Sequence, residues 1–133
     1  MRGGHLVSGV EALKYILWRM GCTHPFRASR ILAIAEDISL ERYGRRLTDL
    51  KYVKGPGVFF IEGLKEAVEG DPSLRKREGD PKRGVKGCIE YVGGDPPSIP
   101  EEARRVLDEV IERYGGLPDM ELNAIAMKSR VLS

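Results

Sequence analysis

The chain has 133 residues, of which 41% are hydrophobic and 32% charged, and its formal net charge at pH 7 is +2. This length and composition predict one globular domain over residues 1–133, and they exclude an intrinsically disordered chain. No apolar run reaches the roughly 18–20 residues that a membrane helix needs, and the first residues lack the apolar segment of a secretory signal. We therefore expect a cytoplasmic protein that does not bind a membrane.

The small net charge conceals an uneven distribution along the chain. Basic residues outnumber acidic ones by eight to four in residues 1–46 and by six to two in residues 75–86, whereas acidic residues lead by seven to three in residues 100–121. The predicted surface is therefore polarised. Gln is absent, Asn occurs once, and Arg outnumbers Lys by fourteen to eight. Scarce amides and abundant ion-pairing residues indicate a thermophilic source.

Two helices are predicted in the first third of the chain. Residues 8–11 have the spacing of a capping box, apolar residues follow at helical intervals, and Gly21 ends the first helix. The second helix is expected to begin with Thr23 as its cap and Pro25 in its first turn. Its apolar stripe predicts one buried face, and Gly44 closes it.

The middle of the chain is predicted to change from strand to helix. Residues 47–53 alternate like a strand, Gly55-Pro56-Gly57 follows, and residues 58–68 have the composition of a well-buried third helix. The glycines lack the GxxxxGK[ST] spacing of a phosphate loop. Exposed amides at a helix start can receive an anion. A strand-to-helix turn is the favoured interpretation, because Gly and Pro are common in such turns.

Residues 74–92 are predicted to form a basic β-hairpin. Six basic residues cluster about its turn: Arg75, Lys76, Arg77, Lys82, Arg83 and Lys86. A basic hairpin after three helices is typical of a winged helix, whose wing contacts the phosphate backbone. The glutamates of the predicted third helix would repel phosphate, however. A solvated hairpin with scattered charges is the simpler interpretation.

The last third of the chain contains the clearest helix. Ser98 and Pro100 are placed to start it, Gly115 ends it, and its apolar stripe is Ala103, Val106, Leu107, Val110, Ile111 and Tyr114. A short last helix is expected to begin at residues 118–119, with Met120 and Leu122 in its apolar stripe. The elements together predict a mostly helical α+β domain of about five helices with a small antiparallel sheet or hairpin.

Few residues could support catalysis or bind a metal. Cys22, His24 and His5 are too few to define a metal site, which needs three or four converging ligands. Neither histidine has the context of a catalytic base, and the adjacent carboxylates Glu36 and Asp37 are interpreted as part of a charged helix face. We therefore expect no enzymatic activity, no metal and no cofactor.

The cysteines Cys22 and Cys88 are the only two in the chain. The favoured interpretation is a pair of buried thiols, since unpaired cysteines commonly pack as small hydrophobes. The alternative is a disulfide, which intracellular proteins of hyperthermophiles sometimes carry.

Several short motifs follow one another in a family-like order. They are VEALKYILWRMG in the first helix, RILAIAE in the second, Tyr43-Gly44-x-x-Leu47, Tyr52-x-x-Gly55-Pro56, and residues 106–115 ahead of a helix that begins Glu121-Leu122. In this order the chain resembles the SocA-like, or Panacea, antitoxin domain family over residues 8–127, as a divergent member. It departs from the family pattern at Ala33, where tyrosine is usual, at Gly57, which separates Pro56 from Val58, and in lacking a histidine after residue 127.

The resemblance implies a non-catalytic module that neutralises a toxin by direct protein contact, often beside a gene for that toxin. We interpret the landmark residues of the motifs as structural: Tyr43, Gly44, Tyr52, Gly55 and Pro56. The expected partner is a protein, with nucleic acid as the alternative, and both a monomer and a homodimer remain open.

Overall fold

The computed structural model describes residues 4–133, so residues 1–3 of the predicted domain lie outside the described part. The elements in chain order are α1 (Gly9–Met20), α2 (Pro25–Tyr43), β1 (Lys51–Lys54), β2 (Phe59–Glu62), α3 (Leu64–Glu69), β3 (Leu74–Arg77), β4 (Cys88–Tyr91), α4 (Glu101–Tyr114) and α5 (Asp119–Ala126), with 3-10 turns at Pro81–Arg83 and Arg130–Leu132. The predicted α+β class with five helices is confirmed. No helix within residues 4–133 is long and apolar enough to cross a membrane.

The ends of α1 and α2 follow local rules of helix capping. Ser8 Oγ accepts a hydrogen bond from the Glu11 amide at 3.2 Å, as the capping box predicts. Thr23 is not the cap of α2, however, because the His24 Nδ1 atom accepts the Phe26 amide at 3.0 Å instead. Gly44 closes α2 in the left-handed conformation, as predicted.

Helix α2 passes through the centre of the domain. Residues 28–36 are all buried, although the sequence predicted a single buried face. The larger core cluster joins α2 to α1, α4, α5 and the β1–β2 hairpin, and a smaller one lies between α1, α3, the β3–β4 hairpin and the start of α2. Because α2 is covered on nearly all sides, its polar side chains must find partners inside the protein.

The β1–β2 hairpin replaces the first part of the predicted third helix. Lys54 pairs with Phe59 in antiparallel register, and Gly57 lies in the turn with a φ of +69°. Proline followed by a glycine with positive φ is typical of a type II turn. The strand-to-helix prediction for residues 58–68 is therefore wrong: residues 59–62 form a strand, and only the six residues of α3 are helical.

The β3–β4 hairpin is confirmed. Its strands are antiparallel, and Leu74 pairs with Tyr91 at one end and Arg77 with Cys88 at the other. The two sheets are separate, each with two strands. The favoured interpretation of the cysteines is wrong, because Cys22 is bonded to Cys88 across 66 residues of chain, with 5.4 Å between their Cα atoms. The disulfide joins the α1–α2 corner to β4.

Helices α4 and α5 complete the larger core. Ala103, Val106, Leu107 and Val110 of α4 are buried, as its stripe predicted. The helix begins at Glu101, with Pro100 rather than Ser98 at the cap position. In α5 the stripe prediction is wrong for Met120, which is 86% exposed.

Candidate functional site

The candidate site is a groove of about 490 Å³, which we call the α2 groove. It is bounded by the first turns of α2, by β2 and α3, and by the β3–β4 hairpin. Most of the side chains that line it are apolar: Phe26, Phe59, Phe60, Ile61, Leu64, Val68 and Ile89. A groove of this volume with an apolar lining and a few polar groups is typical of a ligand-binding site.

Arg30 of α2 lines this groove although the residue is only 3% exposed. Its guanidinium carbon lies 3.9 Å from the ring centre of Phe26 and 4.0 Å from that of Phe59, so the cation is stacked between two aromatic faces. Its Nε donates to Asn123 Oδ1 at 2.9 Å, and its Nη1 donates to Ser29 Oγ at 2.9 Å. These contacts orient the guanidinium but supply no negative charge.

The charge of Arg30 has no counter-ion in the part of the chain that the structure describes. No carboxylate of residues 4–133 forms an ion pair with it, and Nη2 donates no hydrogen bond there. Burial away from water lowers the pKa of the guanidinium from its usual value. A buried charge without an opposite charge is costly, so the groove contains a cation that an anion would stabilise.

The edge of the α2 groove is charged and partly aromatic. Phe60 is 59% exposed although its strand neighbours Phe59 and Ile61 are buried. Lys65, Lys76 and Glu69 are exposed at the same edge. The Nζ atom of Lys76 also lies 4.0 Å from Glu78 Oε1, so part of its charge is compensated. The groove therefore has an excess of positive charge over an apolar interior.

The six basic residues of the predicted binding surface do lie on one hairpin, and most have acidic neighbours. Glu90 is 3.9 Å from Arg75 and 3.0 Å from Arg77, between charged nitrogen and carboxylate oxygen. The remaining pairs are Lys76 with Glu78, Arg83 with Asp80 and Lys86 with Asp119, and Lys82 is the one of the six with no ion pair among residues 4–133. Much of the positive charge of the hairpin is thus compensated.

A buried carboxylate of α2 binds the landmark residue Tyr52 and the segment that precedes β1. Glu36 is 0% exposed and accepts hydrogen bonds from Arg46 Nε at 2.9 Å and from the Tyr52 hydroxyl at 3.0 Å. It also accepts the Leu47 amide at 2.8 Å and bonds to Thr48. Burial, and then the charge of Glu36, raise the pKa of Tyr52 well above its usual value. The interpretation of Glu36 as part of a charged surface is therefore wrong, and its role is structural.

The remaining candidate groups are separated. His24 caps α2, His5 is exposed, and the sulfur of Cys22 is bonded to Cys88. No group of three or more His, Cys, Asp or Glu side chains in residues 4–133 is placed to bind a metal ion. Gly55 and Pro56 lie at the tip of the β1–β2 hairpin, where the Gly55 amide donates to the Val58 carbonyl at 2.8 Å.

The sequence interpretation missed Arg30 entirely. The one local signal was an arginine within an apolar helix segment, Ser29-Arg30-Ile31-Leu32. Such a residue needs a partner if the segment is buried on all sides, but the predicted stripe placed Arg30 off the buried face.

Comparison of the chain with protein-family models, with curated proteins and with solved structures gives no match. The resemblance to SocA-like antitoxins therefore depends on the short motifs of residues 8–127 alone.

Proposed function

We propose that this chain is a non-catalytic protein-interaction domain that acts as an antitoxin and neutralises a cognate toxin by direct binding. The observation that carries the proposal is the exposure of Phe60, together with Val58 on the same hairpin. Phe60 lies at the edge of an apolar groove and Val58 is exposed two residues before it, and exposed apolar surface of this kind is common at protein-binding sites. Aromatic residues of this kind frequently supply much of the binding energy of an interface.

The cost of losing Phe60 can be bounded. Burying a phenylalanine side chain contributes on the order of 2 kcal/mol, which corresponds to roughly a thirtyfold change in affinity. Because the ring is 59% exposed, replacing it should cost the folded domain little. The double substitution V58S/F60S should therefore weaken partner binding at least about thirtyfold while leaving the melting temperature nearly unchanged.

The test begins with the open reading frame next to the gene. Its product should be toxic when expressed alone and harmless when co-expressed with the wild-type chain. V58S/F60S should fail to rescue growth, whereas the control M120S, which removes an even more exposed apolar side chain from α5, should rescue it. A non-toxic neighbour together with no partner in a pull-down from the native host would contradict the antitoxin function. Full rescue of growth by V58S/F60S would contradict the proposal that Val58 and Phe60 form the surface that binds the toxin.

A second candidate is a nucleic-acid-binding regulator that uses the basic hairpin. The observation in its favour is that all six basic side chains lie on one exposed hairpin, as a wing would require. It has less support, because Glu90 lies close to two of them. Binding to duplex DNA should then fall steeply with salt, and R75A/K76A/R77A should weaken it equally for all sequences. No binding at low salt would exclude this function.

A further inference from the structure

We propose that the α2 groove binds a small organic monocarboxylate with an apolar body, and that Arg30 binds its carboxylate. This inference goes beyond protein binding and does not depend on it. It is carried by a buried cation without a counter-ion that lines an apolar groove of ligand size.

The first step is that Arg30 is exceptional among the arginines of this chain. Of the thirteen arginines in residues 4–133, eleven lie within 4.0 Å of a carboxylate. The two exceptions are Arg45, which is exposed to solvent, and Arg30, which is buried. Water solvates the charge of Arg45, whereas Arg30 is only 3% exposed and is poorly solvated, so the missing negative charge matters most in the groove.

The second step concerns the kind of anion. Guanidinium is a planar fork of N–H donors, and it matches the planar, two-oxygen geometry of a carboxylate. Nε and Nη1 already donate to Asn123 and Ser29, and Nη2 has no acceptor among residues 4–133. One buried positive charge is balanced by a monoanion. A phosphate dianion would bring a second charge, which would have to leave water for an apolar groove.

The third step concerns the remainder of the ligand. The rings of Phe26 and Phe59 stack on the guanidinium, and apolar side chains of β2, α3 and β4 line the rest of the groove. An apolar body, aromatic or aliphatic, would be desolvated against these side chains. Lys65 and Lys76 outnumber Glu69 at the edge, which favours entry of an anion over that of a cation.

The first experiment uses the wild-type chain, labelled with nitrogen-15, and matched pairs of probes. The carboxylates are 3-phenylpropionate, hexanoate and octanoate, each compared with its primary amide, and phenyl phosphate is the dianionic control. Saturable shifts are expected at the backbone amides of Ser29, Phe60 and Ile89 with the carboxylates. The amides and phenyl phosphate should bind at least roughly tenfold more weakly. No saturable shift with any carboxylate at millimolar concentration, or equal affinity for the amides, would overturn the proposal.

The second experiment removes the cation. R30M keeps an apolar side chain of similar length, and removing a costly uncompensated charge offsets the loss of the Arg30 contacts with Asn123 and Ser29. We expect R30M to melt no lower than wild type and to lose the preference for carboxylates over amides. R45M removes the exposed arginine that also lacks a carboxylate neighbour, and it should bind the carboxylate probes as wild type does. Undiminished carboxylate binding by R30M would refute the role of Arg30, and if R30M does not fold, the comparison of carboxylates with amides on the wild-type chain decides.

The two proposals can fail separately. V58S/F60S tests the protein partner, whereas R30M tests the small carboxylate. Carboxylate binding without a toxic neighbour would leave the ligand site in place and remove the antitoxin function. Rescue of growth by the wild-type chain without any carboxylate binding would support the antitoxin function and contradict the ligand site.

Discussion

Replacement of Glu36 by alanine tests the polar network that connects α2 to the segment leading into β1. The carboxylate is fully buried and accepts hydrogen bonds from Arg46, the Leu47 amide, Thr48 and Tyr52. Alanine removes all of these acceptors at once. The substitution therefore takes the carboxylate away from the Arg46 guanidinium, and it leaves a main-chain amide and two hydroxyls without their acceptor, as well as a small cavity.

The expected magnitude follows from the burial of the partners. Breaking a buried ion pair by removing one member costs about 3–5 kcal/mol when the other charge is left buried. The Arg46 side chain is 37% exposed, so water can solvate part of its charge and the ionic share is smaller. The Thr48 hydroxyl and the Leu47 amide are buried and add about 1–3 kcal/mol for each unpaired group. We expect E36A to lower the free energy of unfolding by about 4 kcal/mol in total.

The assay is equilibrium unfolding in guanidinium chloride, followed by circular dichroism, with E41A as the matched control. Glu41 is on the same helix, but its side chain is 67% exposed and its ion pair with Arg130 is a surface contact at 3.4 Å. E41A should change stability by less than about 0.5 kcal/mol. In E36A the raised pKa of Tyr52 should also fall, because the charge of Glu36 contributes to it after burial. A loss below about 1 kcal/mol for E36A would refute the reasoning.

Three further predictions concern the disulfide, the hairpin turn and an ion pair. C22A/C88A should lower the free energy of unfolding by about 4 kcal/mol, because the bond closes a long loop in the unfolded chain, and wild type in reductant should match it. G57A should cost about 1 kcal/mol, since alanine is strained at a φ of +69°. Hydrogen bonding to Lys14 lowers the pKa of Asp71 from 3.8 to about 2. The contribution of this ion pair to stability is therefore complete above pH 3.8 and is lost as the pH falls towards 2. In D71N the free energy of unfolding should depend less on pH over that interval. Unchanged melting in C22A/C88A or G57A, or an unchanged acid profile in D71N, would contradict the respective prediction.

Much of the helical structure could be predicted because its signals are local. The capping box at Ser8, the closing glycine at position 44 and the stripe of α4 each depend on residues within a few turns of one another. The β3–β4 hairpin was predictable for the same reason, since its strands are neighbours in the chain. The periodicity of α4 is clear because one face of this helix contacts water and the other the core.

Residues 58–68 show where local signals were insufficient. Phe59, Phe60 and Ile61 are compatible with a buried helix or a strand, because a short apolar run does not distinguish the two. In the structure these residues form a strand because they pair with β1, and buried and exposed side chains alternate along β2. Met120 was assigned to the core for a related reason: the period of a short helix does not decide which side faces the protein.

The candidate site was not predictable from the chain alone. The sequence by itself determined the class of fold, the main helices and a basic hairpin. Only the tertiary structure brought Cys22 to Cys88, buried Glu36 among donors from a later segment, and placed Arg30 between Phe26 and Phe59 without a counter-ion. The physical reason is that helix capping and periodicity act between residues close in sequence. Burial and charge compensation depend on residues that are tens of positions apart and meet only when the chain is folded.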